Sequence, residues 1–169
     1  MVQRKGSKTR TGLLIQKSSM VPKSSMVPMS NFDLMDAAKK LAIKNFRGVF
    51  MKDQLPHQPN SVETGIINLD NSTGPGTHWV AYAIDPRGIV YFDSYGLAPP
   101  KEFMRYIKTL PMKTWYSTLP TQQMNDPPIC GSEVLNVLNA ISASRKPPHI
   151  VVNDYTSNRW QRRSRQKRF

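Results

Sequence analysis

Residues 77–97 read THWVAYAIDPRGIVYFDSYGL, and the pattern is that of a β-hairpin. Segments 79–84 and 89–93 are rich in β-branched and aromatic residues and alternate in polarity, as strands do. Between them Asp85-Pro86-Arg87-Gly88 is a turn, because proline presets φ at its second position and glycine accepts φ > 0 at its fourth. A histidine, His78, therefore opens one strand and an aspartate, Asp93, closes its partner. If Pro86 and Arg87 alone form the loop, His78 faces Tyr95 and Asp93 lies one diagonal step away on the same face. A three-residue loop places Asp93 on the other face, and an irregular strand end is then needed to bring it back. The sequence leaves both registers open.

A histidine beside a carboxylate is two thirds of a nucleophilic triad, and the chain holds a single cysteine, Cys130, to complete it. Cys130 stands in Pro-Pro-Ile-Cys-Gly-Ser-Glu, directly before an apolar pattern at helical spacing (Val134, Leu135, Val137, Leu138, Ile141). Unpaired amides at a helix start favour an anion and so populate the reactive thiolate. Gly131 leaves room for a substrate, and its amide can point at the reacting carbonyl. His78 would take the thiol proton and later return a proton to the leaving amine, while Asp93 orients the imidazole. The other histidines are poorer candidates: His57 lies in a Pro-rich loop and His149 follows two prolines. The plainer alternatives are a small buried cysteine and a turn-capping aspartate.

The order His-Trp (78–79), Tyr-Phe-Asp-Ser-Tyr-Gly-Leu (91–97), then Gln before Cys-Gly (130–131) resembles the adenovirus protease (adenain) family of cysteine endopeptidases, relatives of the proteases that act on SUMO and ubiquitin-like proteins. Asn-Phe-Arg-Gly-Val-Phe-Met-Lys-Asp-Gln-Leu-Pro (45–56) also resembles adenain-type proteins of viruses and mobile elements, and the likeness spans roughly residues 31–140. It implies a papain-like α+β fold, in which the cysteine's helix packs against a mainly antiparallel sheet that carries the histidine. It implies a Cys130–His78–Asp93 triad, with Gln123, seven residues before the cysteine, as a side-chain oxyanion donor beside the Cys130 amide. The adjacent Gln122 is the alternative donor. Trp79 would shield the imidazole from water. The chain departs from the family in Asp126-Pro127-Pro128 before the nucleophile and in Gly131-Ser132-Glu133, where a more apolar helix start is usual.

Among 169 residues there is room for one domain with a core, and no run approaches the 18 apolar residues of a membrane span. One cysteine excludes an intrachain disulfide and a cysteine-based zinc site, and a lone thiol suits a reducing compartment. The net charge of +13 is unevenly spread. Residues 1–30 hold six basic and no acidic residues; residues 158–169 hold six more (Arg159, Arg162, Arg163, Arg165, Lys167, Arg168) and again no acid. Residues 31–157 carry 12 basic residues against 11 acidic ones. The expectation is a near-neutral domain over 31–157 between a disordered basic N-terminal tail, with its tandem KSSMVP repeat at 17–22 and 23–28, and a disordered basic C-terminal tail. Such arms bind nucleic acid without sequence preference or act as nuclear-import signals.

Within the domain, Asn31 or Asp33 can cap a first helix carrying Leu34, Ala37, Ala38, Leu41 and Ala42. Residues 65–70 read as a buried strand, 101–110 as a second helix, 114–119 as a strand, and 134–141 as the body of the third helix. Ile150-Val151-Val152 reads as an edge strand or an apolar anchor for the tail. The functional expectation is a monomeric viral or virus-like endopeptidase that cuts precursor proteins during particle maturation, in the host nucleus or the virion, without a membrane association. Its chemistry asks for no cofactor, although the resemblance implies DNA and a peptide as activators, the peptide bound without a disulfide. The rivals are a SUMO- or ubiquitin-like deconjugating protease and an inactive nucleic-acid-binding core protein.

Overall fold

The computed structural model describes residues 28–122 and 128–166. Its elements run α1 (Asn31–Lys40), β1 (Phe46–Met51), β2 (Glu63–Asn68), β3 (Trp79–Asp85), β4 (Gly88–Phe92), α2 (Lys101–Tyr106), β5 (Thr114–Tyr116), α3 (Cys130–Ala143) and α4 (Pro148–Gln166). The β3–β4 hairpin pairs Asp85 with Gly88 and Ala81 with Phe92, so the loop is the two-residue one and Asp93 falls on the His78 face. Gly88 adopts φ +147°, and a side chain there would strike the Trp115 ring, so both the turn and the packing require glycine.

The five strands form one sheet in chain order. Its centre, β2–β3–β4, is antiparallel, whereas both edges pair in parallel: β1 with β2 and β5 with β4. The sheet is thus more mixed than the mainly antiparallel one expected, because the chain crosses over before β2 and through α2 before β5 instead of turning back tightly. Helices cover both faces. Alternate residues of β3 divide between the layers: Ala81 and Ala83 pack with Leu34, Val134, Leu138 and Val152 from α1, α3 and α4. Val80, Tyr82 and Ile84 pack with Phe103 and Ile107 around α2. The small residues of β3 face the side where helix α3 packs, and the large ones fill the other.

The cap of helix α1 is Ser30, one residue before Asn31 and three before Asp33, the two expected caps. Ser30 accepts from the Asp33 amide, and Asp33 reciprocates on the Ser30 amide (2.9 Å), a complete capping box. A second buried network closes the far end of the sheet. The Glu63 carboxylate, 1% exposed, accepts from Tyr82, Tyr106, Arg47 and the Asn60 amide. A buried carboxylate this well paired fixes the registry of β1, β2, β3 and the α2 segment together.

The C-terminal region differs most from expectation. Residues 150–152 are not a strand, and 158–166 are not an extended or disordered tail: both belong to the 19-residue helix α4. The expected domain boundary at residue 157 lies inside that helix. Proline at its first position is pre-set for helix and lacks only an amide that would be unpaired anyway. Val151, Val152 and Thr156 are buried at helical spacing, and that burial outweighs the β-preference of the local Ile-Val-Val run. The expectations for residues 1–27, with their repeat, and for Lys167 and Arg168 lie outside the described residues. Among the described residues no helix is long and apolar enough to cross a membrane.

Candidate active site

Three elements converge on one point. His78 is delivered by the loop before β3, and its backbone is held by the Leu69 amide donating to the His78 carbonyl (2.9 Å). The loop itself is pinned: the Asn68 side-chain oxygen accepts from the Thr77 amide (3.1 Å), and Asp70 accepts from the Gly76 amide (3.1 Å). Asp93 follows β4, and its Oδ1 receives both His78 Nε2 (2.9 Å) and the Tyr95 amide (2.7 Å). Cys130 is the first residue of α3. With Nε2 committed to Asp93, the other ring nitrogen of His78 is the one left for the Cys130 sulfur, to which the imidazole is hydrogen-bonded. The three residues singled out from the sequence are therefore brought together.

The electrostatics follow from this geometry. Burial opposes charge on His78, but the Asp93 hydrogen bond, the Cys130 hydrogen bond and the charges of both push its pKa up to about 9. Burial raises the Cys130 thiol, yet the His78 hydrogen bond, the Trp79 and Gly131 amides and the histidine charge together bring it below the ordinary thiol range. The two shifts favour the same state, an imidazolium beside a thiolate. All three side chains are buried or nearly so, which strengthens the pairing.

Tyr95, Gln122, Trp79 and Met29, of which Met29 alone was not expected from the sequence, complete the surroundings. The Tyr95 ring stacks on His78, centroids 4.5 Å apart and 27° from parallel, as the two-residue hairpin register implies. Its hydroxyl accepts from the Gln122 side-chain amide (3.3 Å), and Ser94 donates to the Gln122 carbonyl oxygen (3.0 Å). Gln122 is 1% exposed and fastens residues 121–122 onto the Asp93–Gly96 turn. Gln123 lies outside the described residues. Trp79, expected to shield the imidazole, donates its indole N–H to the Met29 carbonyl (2.9 Å) and packs against the α1–α3 core. Met29 in turn covers Gly131, where an added Cβ would come within 3.0 Å of the methionine Cβ and sulfur. No sequence pattern marks Met29, since its role comes only from where the chain enters α1.

The basic residues of the C-terminal segment separate into two groups. Arg159 points inward and pairs with Glu133 in the first turn of α3, while Arg163 donates to the Thr121 carbonyl (3.0 Å). Arg162 and Arg165 are exposed, as is Trp160 at 42%. Among the described residues no group of three or more His, Cys, Asp or Glu is arranged to hold a metal ion.

Comparison with known proteins finds viral cysteine proteases among those similar to this chain. The chain is 35% identical over 81 residues to the cysteine protease S273R of African swine fever virus (isolate Tick/Malawi/Lil 20-1/1983), a match covering 46% of this chain and 29% of that protein. It is 36% identical over 63 residues to the SUMO-1 cysteine protease S273R of another isolate (Tick/South Africa/Pretoriuskop Pr4/1996), covering 35% of this chain and 23% of the relative. The chain thus spans less than a third of the length of these curated relatives. The crystal structure of the selenomethionine African swine fever virus pS273R protease superimposes with a TM-score of 0.57 at 21% identity, covering 82% of this chain and 68% of that one. The fold is the α+β fold of that viral cysteine protease. No family model matches the chain.

Proposed function

We propose that the chain is a cysteine endopeptidase acting through Cys130, His78 and Asp93. The observation that carries the reading is the buried His78–Asp93 pair at 2.9 Å with Cys130 hydrogen-bonded to the same imidazole at a helix start. The Cys130 thiolate attacks the scissile carbonyl carbon, and the charge developing on the carbonyl oxygen is met by the Cys130 amide and, in this reading, the Gln123 side chain. His78 then donates its proton to the departing amine, and the C–N bond breaks to leave a thioester. Water, deprotonated by the now neutral imidazole, attacks the thioester and releases the acid and the free thiolate. Asp93 holds the ring in the required orientation throughout and stabilises its positive charge.

The finer reading is a viral or virus-like-element enzyme of adenain type, cutting precursor proteins during particle maturation in the host nucleus or virion. Its support is the viral origin of the similar proteases together with the ordered motifs at 78–79, 91–97 and 130–131. A lone cysteine means that a peptide activator, if used, binds without a disulfide. Exposed Arg162 and Arg165 beside Trp160 support non-specific contact with nucleic acid. A second reading, removal of a ubiquitin-like modifier, is favoured by the name SUMO-1 cysteine protease carried by one of the relatives.

The test is cleavage of a peptide library by the wild type and by Cys130→Ala, with a SUMO C-terminal fusion as a separate substrate. Cleavage of internal peptide sites that is lost in Cys130→Ala supports the endopeptidase. Processing of the SUMO fusion alone selects the second reading, and undiminished cleavage by Cys130→Ala overturns both.

A further inference from the structure

Helix α4 contributes no atom to the triad, yet three of its side chains reach the elements that hold it. Glu133 is the fourth residue of α3, in the same first turn as the nucleophile, and is 1% exposed. One of its carboxylate oxygens is paired with the Arg159 guanidinium, and the other accepts from the Tyr155 hydroxyl (3.1 Å). Arg159 also donates to the Tyr155 hydroxyl (3.2 Å), and its guanidinium lies 5.5 Å from the centre of the tyrosine ring. The Tyr155 ring meets Phe92, the residue before Asp93, edge-on at 5.9 Å. One turn further along α4, Arg163 holds the Thr121 carbonyl, in a segment whose Thr121 and Gln122 amides both donate to the Ser94 carbonyl.

This arrangement solves an electrostatic problem that Glu133 creates. The start of α3 carries a partial positive charge from its unpaired amides, and that field favours an anion at Cys130. A second anion in the same turn competes for it and repels the first across a poorly screened interior. Of the charged groups on these elements, His78 acts directly on the sulfur and is paired with Asp93, while Glu133, three residues after Cys130 on α3, is paired with Arg159 from α4. Asp93 is matched by His78, and among the described residues the cation paired with Glu133 comes from α4.

We infer that α4 is a positioning element of the active site: Arg159 neutralises Glu133 and so reserves the positive end of α3 for the Cys130 sulfur, while Arg163 fixes the 121–122 segment held to the Ser94 carbonyl. Arg159 and Arg163 are therefore positioning residues and not part of a free cationic surface. The inference rests on Cys130 being the nucleophile.

The experiment measures the rate of Cys130 alkylation by iodoacetamide against pH in the full chain. The variants are Arg159→Met, Arg159→Lys, Glu133→Gln and the Arg159→Met/Glu133→Gln pair. Wild-type reaction that begins only in the ordinary thiol range, near pH 8.5, would overturn the nucleophile reading itself. With the wild type reactive at lower pH, Arg159→Met is expected to move the profile upward by about one pH unit, roughly a tenfold loss of rate below the midpoint. Arg159→Lys should restore part of it, because the charge returns without the planar fork. Adding Glu133→Gln to Arg159→Met should bring the profile back, since the competing charge is gone. A folded Arg159→Met protein with the wild-type profile overturns the inference, as does a double variant that stays shifted. If Arg159→Met fails to fold, the double variant decides: a folded protein with the lower profile upholds the electrostatic role, and any other outcome rejects it.

Discussion

At the scale of single residues, His78 and Cys130 shift each other in opposite directions, and the consequence is a pH window. The reactive pair exists above the pKa of the thiol, which lies below its ordinary range, and below that of the imidazolium, which is raised to about 9. kcat/KM for a peptide substrate should therefore rise on a limb below the ordinary thiol pKa and fall again near pH 9, both limbs belonging to the coupled pair. In Asp93→Asn the upper limb should move down, because the carboxylate whose hydrogen bond and charge favour the imidazolium is removed. A descending limb unchanged by that substitution would assign it to another group. Gln123→Ala should lower kcat by roughly 10²–10³-fold with little change in KM, as for a lost oxyanion donor. Gln122→Ala should act differently, since Gln122 ties the chain to Ser94 and Tyr95: loss of thermal stability is its expected signature. If the kinetic pattern appears in Gln122→Ala alone, the donor is Gln122.

At the scale of elements, the hairpin does most of the placement. Its two-residue loop sets the pairing that puts Tyr95 over His78 and Asp93 beside it, and the neighbouring strand β2 holds β3 in register along its whole length. Gly65 shows how tight that packing is, because a Cβ there would lie 2.5 Å from the Tyr82 ring. That ring cannot swing away freely, since its hydroxyl is bonded to buried Glu63 (2.9 Å). Gly65→Ala should cost about 1–3 kcal/mol of stability by overpacking, measured by urea denaturation. The loss should appear as a lower midpoint with an unchanged slope, and wild-type stability would show that the Glu63 network yields more easily than its pairing implies.

At the scale of the whole molecule, the two basic ends are not equivalent. A chain lacking residues 1–27 keeps Met29, Ser30 and the hydrogen bond from Trp79, and is expected to cleave peptides as the full chain does. A chain ending after Ser157 loses Arg159 and Arg163, leaving the buried Glu133 carboxylate without its cation, at a cost of about 3–5 kcal/mol. It should lose activity and melt at lower temperature, whereas the Arg162→Ala/Arg165→Ala pair should do neither. That pair is instead expected to weaken binding to a random DNA oligonucleotide and to reduce the slope of log affinity against log salt by about two, one for each phosphate no longer neutralised. An unchanged slope would place any such binding elsewhere.

The candidate site was legible in the sequence because its signals are local. His78 and Asp93 sit at the two ends of a hairpin whose turn residues set the register, and Cys130 stands directly before an apolar stripe at helical spacing. Period and turn chemistry are properties of a few consecutive residues, so they survive reading one residue at a time. Even the choice between two hairpin registers needed only one loop length to be resolved. The C-terminal helix was different. Its Ile-Val-Val run favours a strand and its arginines favour a solvated tail, and both local preferences are overruled by interactions with residues more than 20 positions away. Whether Arg159 is a surface charge or the partner of a buried carboxylate depends on where α3 lies. Nothing within α4 carries that information, and only the packed structure decides it.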